Sequence, residues 1–88
     1  MAYFVYILCC SDGTLYTGST NHVEHRLAAH QSGRGAKYTR SRLPVKLVYL
    51  EEAEDRSAAL RREAAIKRLT RQQKLELVQE FTRKNIGE

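Results

Sequence analysis

Two short apolar runs, each carrying tyrosine, flank an Asp12-Gly13 turn, and a polar helix start follows at once. This stretch, Tyr3 to His30, constrains the chain more than any other. Tyr3 to Cys9 (YFVYILC) is rich in β-branched and aromatic residues and is apolar at both alternating sets of positions. Val5 and Ile7 point one way, and Phe4, Tyr6 and Leu8 the other. A strand of that kind belongs inside a sheet covered on both faces. Ser11-Asp12-Gly13 supplies turn chemistry, and Thr14 to Ser19 returns as an antiparallel strand. Gly18 near its end removes a side chain where another group can approach the backbone.

Asn21 with Glu24 three residues on makes a capping-box pattern that opens a helix. Val23 and Leu27 form its inward stripe, and Gly33 stops it. Arg26 and His30 are spaced i, i+4, one turn apart on another face. From Arg34 to Pro44 the chain contains glycine, is basic and has no periodicity, which predicts a loop; Val45 to Leu50 reads as a third strand. Asp55 or Ser57 caps a second helix to about Leu69, with Leu60, Ala64 and Leu69 as core candidates. Thr70 with Gln73 restarts a third, burying Leu75, Val78 and Phe81. The order is β-β-α-β-α-α. It predicts a small α+β fold, a three-stranded antiparallel sheet with the first strand central and helices flanking it. One domain is expected over residues 1–82, with a frayed polar tail over 83–88.

Eighty-eight residues suffice for one modest core without disulfides or a structural metal, and 42% hydrophobic with 28% charged residues excludes a disordered chain. No apolar run approaches the roughly 20 residues that span a bilayer. The first strand has no basic region before it and no small-residue cleavage site after it, so it is not a signal peptide and cytoplasmic residence is expected. The adjacent Cys9 and Cys10 suit neither a mutual disulfide nor a zinc site, and at least one should serve packing. Fifteen Lys and Arg against ten Asp and Glu give a net charge of +5, which favours an anionic partner. The excess is local. Arg34, Lys37, Arg40, Arg42 and Lys46 form a basic run without an acid, followed by the acidic Glu51, Glu52, Glu54 and Asp55.

Several residues allow chemistry, each beside a plainer reading. Tyr6 and Tyr16 lie on strands paired across a short turn, so their hydroxyls can converge; equally, strand tyrosines are ordinary at the edge of a core. A phenol titrates near pH ~10 and serves as a base near neutrality only beside positive charge. Arg26 could be that charge and suits a phosphate, though an isolated helix arginine is usually solvated. His30 could position water or bind a phosphate oxygen, or be an exposed helix residue like His22 and His25. Glu63 is the lone acid between Asp55 and Glu76. It suits Mg²⁺, which keeps several waters and needs few carboxylates, or it simply pairs with Lys67 at i, i+4.

Together these residues resemble the GIY-YIG nuclease superfamily in its small stand-alone group. Phe4-Val5-Tyr6 stands for the first signature tripeptide and Tyr16-Thr17-Gly18 for the second. Asn21, Arg26 and His30 follow on the next helix, Gly35 to Arg40 (GAKYTR) on the loop, and Glu63 in RREAAIK on a later helix. The likeness covers residues 3 to about 80. There are three departures. Phe4 replaces a glycine, Ser19 stands where many relatives carry lysine, and Asn85 is the only candidate for a C-terminal asparagine, in the wrong register.

The resemblance implies metal-dependent endonucleolytic hydrolysis of nucleic-acid phosphodiesters, chiefly of DNA and of the kind DNA repair uses. Glu63 would ligate Mg²⁺ or Mn²⁺, and Arg26 would hold the scissile phosphate. Tyr6 would be the base, with Tyr16 and His30 positioning water or phosphate. Arg34, Lys37, Tyr38, Arg40, Arg42 and Lys46 would hold the strand, selecting by structure rather than base sequence. The rival is a non-catalytic binding module of the same fold, or a subunit whose substrate a protein partner presents.

Overall fold

The computed structural model describes residues 2–85. The elements in order are β1 (Tyr3–Cys9), β2 (Leu15–Thr20), α1 (Val23–Gln31), α2 (Lys37–Arg40), β3 (Lys46–Ala53), α3 (Arg56–Lys67) and α4 (Arg71–Asn85). The sheet is antiparallel with strand order β2-β1-β3, so the doubly apolar first strand is central as its sequence predicts. Its alternation divides the core in two. Val5 and Ile7 pack with Tyr49, Ala59 and Ile66 under α3 and α4. Tyr6, Leu8 and Cys10 pack with Val45 on the opposite face, where Leu27 of α1 joins them. Cys10 is thus the packing cysteine, and both thiols are free.

β2 pairs with β1 so that Gly18 lies opposite Tyr6 and Tyr16 opposite Leu8. Both tyrosines therefore rise on the α1 face, while Thr17 and Ser19 face α3. On the other side of β1, Ile7 pairs with Tyr49 but Leu8 with Leu47, a bulge that leaves Val48 as the extra residue. Gln31 ties α1 to the start of β3 with two bonds, its Nε2 donating to the Val45 carbonyl and its Oε1 accepting from the Val45 amide.

Several boundaries differ from the sequence expectation. α1 is capped by His22, whose Nδ1 accepts from the His25 amide, in place of the expected Asn21–Glu24 box. Gly33 does end the helix, with a positive φ of 81° and its amide on the His30 carbonyl. The expected loop from Arg34 to Pro44 contains the one-turn α2. β3 continues past Leu50 through Glu51 and Glu52 to Ala53.

Asp55 caps α3 by accepting from the Ala58 amide, as expected. The buried side of α3 is Ala59 and Ile66, whereas Leu60 is 47% exposed and Ala64 also faces solvent. Thr70 and Gln73 make the predicted reciprocal box at the start of α4. Leu77, Val78 and Phe81 carry its packing, and Leu75 is half-buried. α4 runs to Asn85, past the Thr82 limit expected for ordered structure; residues 86–88 of the expected tail lie outside the described residues. Among the described residues, no helix is long and apolar enough to cross a membrane.

Candidate active site

Tyr6 stands on the central strand with its ring crossing toward the edge strand β2. It can do so because Gly18 lies beneath it; a β-carbon there would collide with the phenol oxygen. The hydroxyl of Tyr6 lies 3.0 Å from Nε2 of His30, which is fully buried and is the one buried residue of α1. Nδ1 of the same imidazole lies 2.9 Å from the hydroxyl of Thr39 on α2, also fully buried. Gly35 makes room for this ring, since any side chain there would overlap Nδ1.

The directions of these bonds follow from proton counting. The single hydroxyl proton of Thr39 goes to the Ala36 carbonyl at 2.9 Å, so toward His30 Thr39 can only accept. Nδ1 therefore carries the imidazole proton, Nε2 is bare, and the Tyr6 hydroxyl donates to it. Burial pushes the His30 pKa below the ordinary histidine value, and the nearby Arg26 charge pushes it further the same way. The imidazole is held neutral, with its accepting nitrogen on the phenol.

Burial raises the Tyr6 phenol above the usual tyrosine range. Arg26 opposes that rise, while Tyr16 and the Glu63 carboxylate add to it. Arg26 is half-buried and lines a small gap of about 10 Å³ with Tyr6, Leu8, Val23, Leu27 and Leu47. Its own pKa is raised, first by hydrogen bonding to Tyr6. Tyr16 completes the cluster, with ring centroids 6.5 Å from Tyr6 and 5.4 Å from His30. The i, i+4 spacing of Arg26 and His30 thus brings both to the two phenols.

Glu63 reaches the same edge from the opposite face of the sheet. Its Oε1 accepts from Ser19 Oγ at 2.6 Å, and its Oε2 pairs with Lys67 Nζ at 2.8 Å. The plain reading of this residue therefore holds. It makes the i, i+4 pair, yet it is the carboxylate whose charge is felt at Tyr6. Lys67 is held protonated by hydrogen bonding to Glu63. Among the described residues, no three His, Cys, Asp or Glu side chains are grouped to hold a metal ion, so any cation here would rest on Glu63 and on water or substrate.

The basic run divides into two kinds of residue. Lys37, Arg40 and Lys46 are exposed, as is Arg34, whose Nε donates to Ser32. Arg42 is instead built in, with its Nε on Asp12 at 3.1 Å and its guanidinium 4.1 Å over the Tyr38 ring. Tyr38 in turn stacks beside Tyr16 at 6.0 Å between centroids. Asn85 lies away from this cluster and bonds the Phe81 carbonyl of its own helix. Sequence reasoning missed Thr39, Gly35 and the tie between Ser19 and Glu63; the GAKYTR run was the only signal for the first two.

A β2-β1-β3 sheet with this tyrosine–histidine–arginine cluster at its edge places the protein in a known class. Residues 2–76 match the GIY-YIG catalytic domain, and the chain belongs to that family, which is of endonuclease type. It is 59% identical over 75 residues to a UPF0213 protein of Clostridium perfringens, covering 85% of this chain and 81% of that one. It is 53% identical over 78 residues to one from Staphylococcus haemolyticus, covering 89% and 95%. Two solution structures are similar. The UPF0213 protein of Bacillus halodurans is 46% identical with a TM-score of 0.58, covering 90% of this chain and 84% of that one. A protein of E. faecalis is 44% identical with a TM-score of 0.63, covering 93% and 88%.

Proposed function

We propose that this protein is a metal-dependent endonuclease that hydrolyses phosphodiester bonds, chiefly in DNA, selecting its substrate by structure rather than base sequence. The observation that supports this most is the Tyr6 hydroxyl donating to a bare His30 Nε2 beside Arg26. The phenol cannot be a standing phenolate, because its pKa is raised. It acts as a base by passing its proton on. As water attacks phosphorus, the water's proton goes to a free lone pair on the Tyr6 oxygen, and the phenol's own proton moves to His30 Nε2. His30 thus works through Tyr6, since both its nitrogens are engaged inside the protein. Tyr16 borders the water's approach.

Arg26 holds the scissile phosphate and offsets the negative charge that grows on it, in a setting where a fixed guanidinium costs no reorganisation. Glu63 is the residue that would hold Mg²⁺ or Mn²⁺. Its oxygens are hard donors, each keeping a lone pair beyond its present partner, and a cation retaining water needs little else from the protein. Such a cation supplies Lewis-acid stabilisation of the phosphoryl oxygens. Lys37, Arg40 and Lys46, with Arg34, make sequence-independent contacts to phosphates along the strand.

The test incubates the purified protein with labelled linear, single-stranded, flapped and branched DNA and RNA, with Mg²⁺, Mn²⁺ or chelator. Cutting should require the metal and should fall by roughly 10²–10³ in Arg26→Ala and in Glu63→Ala. Salt-sensitive binding without cutting under any condition, undiminished by Glu63→Ala, would instead establish the binding module.

A further inference from the structure

Beside the Tyr16–Tyr38 stack lies a second concavity, of about 210 Å³, lined by Thr14, Leu15, Tyr38, Arg71 and Lys74. It joins the β1–β2 turn to the start of α4, and no part of the basic run other than Tyr38 reaches it. Arg71 is fixed there, its Nη2 donating to the Gly13 carbonyl at 3.0 Å. Lys74 is half-buried, and among the described residues neither cation makes an ion pair. Of the acids nearest in sequence to this lining, Asp12 is committed to Arg42 and Glu76 lines a different concavity, with Arg62, Leu69 and Gln73. Two cations without an ion pair therefore share a hollow whose lining holds no carboxylate and includes the Tyr38 ring. Such a hollow attracts an anion that carries an apolar plane.

We infer that this hollow is a nucleotide subsite. It takes one phosphate of a single-stranded nucleic acid between Arg71 and Lys74, with the attached base against the edge of Tyr38. That ring already carries Arg42 on one face and stacks with Tyr16. Its size, below the roughly 300 Å³ at which sites enclosing whole small ligands begin, suits partial contact with one nucleotide of a longer strand rather than enclosure of a free ligand. A base can enter only if it is unpaired, so the site selects for a strand without its complement. Tyr38 touches Tyr16, and Tyr16 touches His30 and Tyr6, so a strand seated here leads directly to the reaction centre. This inference rests on the nuclease reading for what happens at that centre, and it names the substrate form that the reading leaves open.

The test measures binding of fluorescein-labelled oligothymidylates of two to twelve nucleotides by anisotropy, in chelator so that no cutting occurs. Wild-type affinity should rise in a step at the length that reaches the hollow, and an equally long duplex should compete poorly. Lys74→Gln should lose roughly three- to tenfold in affinity for the long strands only. The slope of log affinity against log salt should become shallower by about 0.7, the effect of one single-strand phosphate contact. Arg71→Gln should do the same. Because that change also removes the bond to Gly13, Lys74→Gln, whose thermal midpoint should match wild type, is the deciding variant. Tyr38→Leu should abolish the preference for an intact strand over one with an abasic residue at the step position.

Wild-type affinity and salt slope in Lys74→Gln, or a duplex that competes as well as the single strand, would overturn the subsite. A protein that shows the step and its loss in Lys74→Gln but never cuts would defeat the nuclease reading and leave the subsite standing.

Discussion

Thr39 carries no charge and is fully buried, yet it decides which nitrogen of His30 bears the proton. Replacing it with valine keeps the shape and removes the acceptor. The imidazole could then hold its proton on Nε2, facing the Tyr6 hydroxyl donor to donor. Thr39→Val should therefore slow cutting by roughly ten- to a hundredfold, the scale seen when an orienting partner is lost. It should also cost about 1–3 kcal/mol of stability for the unsatisfied buried nitrogen, read by urea unfolding. Thr39→Ser should restore both. Tyr6→Phe, which removes the proton-transfer atom itself, should lose about 10²–10⁴ in rate with binding unchanged. That Tyr6, Arg26 and His30 come together follows from the periodic elements that carry them, whereas spacing alone left a plainer reading of each open and their roles rested on the resemblance. Thr39 and Gly35 were not legible, because an aperiodic basic loop gives no sign of which residue turns inward.

At the scale of elements, α3 shows why a buried face can be misread. Leu60 and Ala64 suggest one stripe, but the sheet-facing side runs through Ala59, Arg62, Glu63 and Ile66. Two of those positions are charged because they reach past the helix, Arg62 to Glu51 at 3.0 Å and Glu63 to Ser19. The residues that serve the site and the sheet thus interrupt the apolar period that would have revealed the stripe. The caps at Asp55 and Thr70 were legible because each depends on a side chain accepting from the backbone amide three residues on, reciprocated at Thr70 by Gln73, whatever the helix packs against. The cap at His22 was not, since imidazole is an uncommon cap and Asn21 with Glu24 offered the ordinary pattern. The corrected face makes a contrast that calorimetry can check. Ile66→Ala, fully buried, should cost about 2–5 kcal/mol. Leu60→Lys should change stability by no more than about 0.5 kcal/mol, as surface substitutions do.

The molecule as a whole joins its two cores through β1, and the site's imidazole sits inside one of them, so the protonation of His30 is coupled to global folding. Its folded pKa lies below the ordinary histidine value of about 6.5 that it regains on unfolding. Above that value the imidazole is neutral in both states, and its contribution to stability is complete. As pH falls through it, the unfolded chain takes up the proton first, and stability drains until the folded pKa is passed. Asp12 acts in a separate window. Hydrogen bonding from Thr14, helped by Arg42, holds its carboxylate below the ordinary range, so its contribution is present above about pH 3.9 and is lost only in stronger acid. The thermal midpoint should accordingly fall between pH 7 and 5, well before the carboxylates protonate. In His30→Gln, which cannot take up a proton, the midpoint should be lower at pH 7 but should decline less steeply toward pH 5, so the two curves converge. Exposed His22 and His25 are common to both proteins and cancel in the difference. Parallel curves would mean that His30 is as free to protonate in the folded protein as in the unfolded chain, and that the neutral, accepting Nε2 on which Tyr6 depends is not held in place.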